Sequence, residues 1–166
     1  MQKENNEEQV TIRFAEQKDL SLILDLIKEL AVYEKMLDEV VATEESLNEN
    51  LFEKKMAEVI IGEYRNEPVA FALFFPNFST FLGKPGLYLE DVYVKPEMRG
   101  IGIGRKLFTF LANLTRERNY GRLEWVCLDW NKPSIQFYKK MGAIPMDDWR
   151  TFSMQGNALE NLADKF

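Results

Sequence analysis

The chain contains no histidine. That absence excludes a Ser-His-Asp triad, a histidine general base and the usual His-containing zinc sites, so acid–base work must fall to carboxylates, tyrosine, lysine or the backbone. Cysteine is nearly absent as well. A lone Cys127 leaves no disulfide framework and no multi-cysteine metal site, and it fits a reducing compartment. No metal is expected. No apolar run reaches membrane-spanning length, and the start Met1-Gln2-Lys3-Glu4-Asn5-Asn6-Glu7-Glu8 lacks the apolar segment of a signal peptide. A soluble, cytoplasmic protein is expected. Positive charge is in deficit, with 21 basic against 27 acidic residues and a net charge of −6. This argues against a nucleic-acid-binding surface; it suits ordinary solubility and, more weakly, small cationic partners.

What is present suffices for one domain. A chain of 166 residues with 46% hydrophobic content can bury a core without crosslinks. Residues 1–9 are polar and read as a disordered leader, and residues 10–166 as a single domain. Val10 to Ala15 alternates apolar and polar positions, as a half-buried strand does. Leu20, Ile23, Leu24, Ile27, Leu30 and Ala31 then recur at helical spacing behind Asp19, so a helix is expected over 19–36 with Asp19 as N-cap. A second helix should follow Thr43. Ala57 to Tyr64 and Val69 to Phe75 read as strands joined by a turn at Arg65-Asn66-Glu67-Pro68, and Gly83-Lys84-Pro85-Gly86 breaks the chain before a strand from Leu87 to Val94. Beyond it the pattern predicts a helix over 103–118, a strand from Arg122 to Leu128 and a helix from Pro133 to about Met141. A last strand near Trp149 to Met154 and a short helix from Asn157 follow. Meandering strands mixed with strand-helix-strand crossovers imply an α/β fold with a mixed sheet.

Two stretches carry chemistry. Arg99-Gly100-Ile101-Gly102-Ile103-Gly104 leads from a strand into a helix, where backbone N–H groups can grip phosphate oxygens and glycines allow close approach. A Rossmann fingerprint fails, because counting from Gly100 puts Arg105 at the third required glycine. A P-loop fails too, because the only Gly-Lys pair, Gly83-Lys84, is followed by Pro85. A phosphate turn of another kind and a merely tight loop remain. The second stretch is Leu87-Tyr88-Leu89-Glu90-Asp91-Val92-Tyr93-Val94, with two adjacent carboxylates in an apolar strand. Neighbours in a regular strand face opposite ways, so only one can serve a given site unless a bulge intervenes. Either one acid is a base, or one meets solvent while the other pairs with a basic side chain. Cys127 reads as a buried strand residue, not a nucleophile.

The turn, with Arg99, Gly102 and Gly104 in place, resembles the R-x-x-G-x-G segment of the GNAT acetyltransferases. About thirty residues later, Asn131-Lys132-Pro133-Ser134-Ile135-Gln136-Phe137-Tyr138-Lys139-Lys140-Met141-Gly142-Ala143 is similar to that family's N-x-x-A-x-x-x-Y-x-x-x-G-F segment, with Ser134 for Ala and Ala143 for Phe. Within the family, Tyr88-Leu89-Glu90-Asp91, Trp130-Asn131, Phe137-Tyr138-Lys139, Trp149 and Ile27 to Glu34 resemble the diamine (spermidine/spermine) acetyltransferase group. The stretches around Ser79, Leu128-Asp129-Trp130-Asn131 and Phe152 to Gly156 lean toward its thialysine N-epsilon-acetylating branch.

The resemblance implies a GNAT-type, mostly antiparallel central sheet flanked by helices. It also implies a homodimer and acetyl transfer from acetyl-CoA to a primary amine of a small molecule, by direct attack through a tetrahedral intermediate. Lysine-like amines and di- or polyamines are the candidate acceptors. Glu90 is then the water-linked base and Tyr138 the acid for the leaving thiolate, although a tyrosine on an amphipathic helix is by itself an ordinary core residue. Acetyl-CoA would touch Val92, Tyr93, Val94, Arg99, Gly100, Ile101, Gly102, Ile103, Gly104, Arg105, Asn131, Ser134 and Tyr138, with the Val92 N–H on the oxyanion. Tyr33, Glu34, Ser79, Glu90 and Trp149 would border the amine. An acidic residue typical of polyamine-specific members is missing near Ser79. Two other readings stay open: a non-catalytic acetyl-CoA-binding regulatory domain and a protein N-acetyltransferase.

Overall fold

A computed structural model describes residues 9–166, so the expected leader lies, apart from Gln9, outside the described residues. The chain forms two compact units, Met1–Val126 and Cys127–Phe166. In the first, β1 (Val10–Phe14), β2 (Glu58–Tyr64), β3 (Glu67–Ser79), β4 (Lys84–Val94) and β5 (Leu123–Trp125) lie side by side in chain order. Three neighbouring pairs are antiparallel, and β4 with β5 is parallel. That change of direction needs a crossover, which helix α3 (Ile103–Glu117) supplies.

Helix α1 (Leu20–Glu34) follows the apolar spacing and buries Ile23, Leu24, Leu26, Leu30 and Ala31. Its cap differs from expectation. Asp19 occupies the N-cap but makes no side-chain cap bond to α1; its carboxylate accepts from Arg13 at 2.7 Å and from the Glu16 N–H at 2.8 Å. The helix stops where Lys35 turns left-handed at φ 63°. Helix α2 (Glu44–Leu47) is capped by Thr43, which accepts from the Ser46 N–H at 3.1 Å, and runs into a π-helical stretch, Asn48–Glu53.

The β2–β3 turn is shorter than the sequence suggests. Arg65 and Asn66 both have positive φ, which closes a two-residue hairpin and returns Glu67 and Pro68 to β3. The two faces of the sheet follow strand alternation. Val59, Ile61, Phe71 and Tyr93 meet Ile23, Leu26 and Leu30 of α1, whereas Gly62 faces Ile103 of α3. Phe108 of α3 stands edge-on to Trp125 with centroids 4.9 Å apart, and Lys106 reaches the Val10 carbonyl.

Expected Arg122–Leu128 strand is cut to Leu123–Trp125, because its partner β4 stays in ladder register only from Leu87 to Leu89. Cys127 therefore lies beyond the strand and is half-buried. The second unit holds α4 (Lys132–Lys140) and α5 (Gly156–Ala163). Trp149 to Met154 forms no strand, contrary to expectation. An extended segment gains little without a ladder partner, and among the described residues it has none. No helix of the described residues is long and apolar enough to cross a membrane.

Candidate active site

The site begins with one extra residue. Leu73 of β3 pairs with Asp91 and the next residue, Phe74, pairs with Leu89, so Glu90 is inserted as a β-bulge. Alternation fails at that point. The limit of one carboxylate per face no longer holds, and Glu90 and Asp91 interact electrostatically.

The bulge also exchanges the edges of β4. Before it, Leu87 donates its N–H toward β5, to the Arg122 carbonyl at 2.9 Å; after it, Lys95 donates the other way, to Val69 beside β3, also at 2.9 Å. Counting back in twos from Lys95 turns the N–H groups of Tyr93 and Asp91 toward β3, and so aims those of the alternate residues, Val94 and Val92, at the β5 edge. Among the described residues, ladder pairing on that edge ends at Leu89. Val92 and Val94 thus offer backbone donors to a ligand. Tyr93 does not: its backbone faces β3 opposite Phe71 and its ring is buried under α1. Tyr93, expected at the cofactor, is thus not among the backbone donors on that edge.

Asp91 is half-buried, on the α1 side of the sheet with Tyr93. Burial pushes its carboxyl up to about 6, and the negative charges of Glu90 and Glu34 push the same way. Glu34, the last residue of α1, is itself raised by burial. Partly dry acids that repel one another favour an incoming cation, which would relieve both penalties. Asp91 is the candidate that regular alternation hid. The chain around it contains no glycine or proline to announce the bulge, though two adjacent acids in an apolar strand were the available signal.

After β4 the turn runs into α3. Gly100 and Gly102 take φ values of 82° and 98°, a region costly for other residues. Gly102 is the N-cap of α3 and, lacking a side chain, leaves the first-turn N–H groups without a side-chain cap. Such donors, with the helix dipole and the exposed Arg99 and Arg105, suit a pyrophosphate. Ile103 can contribute only its N–H, because its side chain is in the core. Ile101 is half-buried. The Arg99 Nε donates to the Val94 carbonyl at 2.9 Å, and its guanidinium lies 4.6 Å from the Tyr33 ring centroid and 5.7 Å from that of Tyr93.

Ser79 is placed elsewhere. It pairs with Lys84 at the far end of the β3–β4 hairpin, six residues before Glu90, or about 20 Å at strand rise. Its buried hydroxyl accepts from the Leu82 N–H at 3.2 Å and so shapes the loop. The structure does not bring Ser79 to the carboxylates.

The second unit holds the remaining candidates. Tyr138 is half-buried on α4, its ring 5.6 Å from that of Phe137. Asn131 is buried and caps α4 by accepting from the Ser134 N–H at 3.4 Å. Trp149 is 73% exposed, in a segment without regular structure.

The sequence pattern of the Acetyltransferase (GNAT) family matches residues 23–143, which include the bulged strand, the glycine turn and α4. The chain belongs to this family. It is an acetyl-transferring enzyme built on a GNAT fold. A thialysine N-epsilon-acetyltransferase of Bos taurus is 37% identical, over 94% of this chain and 98% of the relative. An L-ornithine N5-acetyltransferase of Arabidopsis thaliana is 29% identical over 91% of this chain and 86% of its own length. Among solved structures, an integron cassette protein of V. cholerae superposes with a TM-score of 0.78 at 26% identity, covering 93% of this chain and 98% of that one.

Proposed function

We propose that this GNAT enzyme transfers acetyl from acetyl-CoA to the terminal side-chain amine of a lysine-like small molecule, with thialysine and ornithine as the acceptor types. The observation that carries the reading is the bulge at Glu90, which gathers carboxylates on β4 and turns the Val92 and Val94 N–H groups to the open edge. The thialysine and ornithine relatives named above support the acceptor class.

Each residue then has a task. An alkyl ammonium of pKa about 10.4 arrives protonated, and Asp91, Glu90 and Glu34 attract it. Glu90, the exposed member, takes one nitrogen proton through water. Val92 N–H meets the oxygen that gains charge as the amine attacks the thioester. Tyr138 gives its proton to the departing thiolate and regains one from the nitrogen, so the ammonium loses two protons and the medium gains one. Val94, the Arg99–Arg105 turn, Asn131 and Ser134 hold acetyl-CoA, and Tyr33, Glu34 and Trp149 border the amine. Asn131 can cap α4 and bind at the same time.

A single catalytic domain over 10–166 is part of the proposal, because the family pattern runs unbroken past Val126. So is a homodimer: Ile144, Trp149 and Phe152 of the second unit are exposed apolar side chains of the kind a second copy would cover. The test follows free-thiol release from acetyl-CoA across thialysine, lysine, ornithine, diamines and polyamines. Preference for the amino-acid amines supports the reading. Tight acetyl-CoA binding with no amine-dependent release would sink it and favour a regulatory domain.

A further inference from the structure

Arg99 belongs by sequence to the phosphate turn, yet its side chain turns back over the substrate side of the fold. Its Nε is fixed to the Val94 carbonyl at 2.9 Å, and its guanidinium carbon stands 4.6 Å from the Tyr33 ring and 5.7 Å from the Tyr93 ring. One ring belongs to α1 and the other to β4. Tyr93 is buried in the core beneath α1, whereas Tyr33 packs at its margin. One turn earlier on the same face of α1, Glu29 accepts from Tyr93 and pairs with Lys95 at 3.5 Å. The end of α1 that carries Tyr33 and Glu34 is thus tied to β4 at two successive turns, and the outer tie is Arg99.

We infer that Arg99 is a positioning residue for the amine pocket, fixing Tyr33 and the adjacent Glu34 against β4 while the same side chain serves the cofactor turn. The two duties do not compete. A guanidinium stacks through its faces and donates hydrogen bonds through its edge, so a ring and a phosphate can be held together. Lysine keeps the charge but has no flat face. Its ammonium can attract pyrophosphate without clamping Tyr33. Occupation of the turn and the order of the amine wall are thereby linked through one side chain.

The inference rests on the amine-acetylation reading above, so its test has one readout tied to turnover and one independent of it. In steady-state assays with thialysine and acetyl-CoA, Arg99→Lys should raise the amine KM about threefold to fivefold, as expected for loss of an exposed cation–π contact. The acetyl-CoA KM should move less than about twofold. Tyr33→Leu should raise the amine KM similarly, and Arg99→Lys combined with Tyr33→Leu should be no worse than Tyr33→Leu alone. Tyr33→Phe keeps the ring and should restore the wild-type value. Additive effects, or an Arg99→Lys defect confined to acetyl-CoA, would overturn the inference. In the second readout, ring NMR signals of Tyr33 and Tyr93 are compared in wild type and Arg99→Lys without any substrate. Shifts in both rings support the clamp, and unchanged rings refute it even if the wild-type chain acetylates none of the amines tried.

Discussion

The two units are built on different terms. In Met1–Val126, a five-stranded sheet buries Phe71, Phe74, Ile60 and Ile61 completely and holds the carboxylates on one of its strands. In Cys127–Phe166, no hydrophobic side chain is buried, and the one buried residue is the polar Asn131. The first unit can therefore fix charges in a partly dry setting, where they shift one another. The second presents Tyr138, half-buried, on a nine-residue helix capped by Asn131. Electrostatic preorganisation belongs to the sheet.

The contrast can be broken most sharply in the core. Phe71→Ala should cost about 3–5 kcal/mol in urea unfolding, whereas Phe152→Ala, at an exposed position, should stay within about 0.5 kcal/mol. Equal losses would show that the second unit contributes a core of its own to the folded chain. A second comparison sets the two proposed proton carriers against each other. Glu90→Gln should lower kcat/KM for the amine about 10²- to 10⁴-fold, and Tyr138→Phe should lower kcat about 10²-fold while leaving acetyl-CoA binding, measured by calorimetry, unchanged. Wild-type turnover in Tyr138→Phe would remove that residue from the chemistry.

A smaller effect isolates Asp91. Its carboxyl lies at about 6 in the fold against about 3.9 in an unfolded chain, so the native state favours the protonated form. The associated stability is present in full below about pH 4 and is lost as pH rises through about 6. At pH 8, Asp91→Asn should be more stable than wild type by about 1–2 kcal/mol in urea titrations, and the gap should close as pH falls from 6 toward 4. A cationic acceptor prefers the ionised form, so amine kcat/KM should fall below about pH 6 in wild type. In Asp91→Asn that limb should disappear from the pH profile. A limb that persists would assign it to another group.

Much of the frame could be read from local pattern. The spacing of Leu20 to Ala31 identified α1, the alternation of Val10 to Ala15 identified β1, and the glycines from Gly100 identified the turn into α3. The failures have a common cause. Trp149 to Met154 is expected as a strand, but a strand exists only if another offers its edge, and no local pattern reveals that. Ser79 sits seven residues before Gly86, close enough in sequence to join the site, yet the hairpin carries it to the opposite end of β4. Tyr93 lies between two valines whose N–H groups point away from β3, but its own faces the other way.

The adjacent acids of β4 show where sequence stops. Residue types alone determined that the chain lacks histidine and must use carboxylates and tyrosine, and that a glycine turn opens α3, because composition and φ preference are local properties. Tertiary structure decided that a bulge sets Glu90 beside Asp91 out of regular alternation, that Val92 and Val94 lie beyond the end of the β5 ladder, and that Arg99 lies on Tyr33. All three follow from the pairing of β4 with β3 and its packing against α1, which depend on residues distant along the chain.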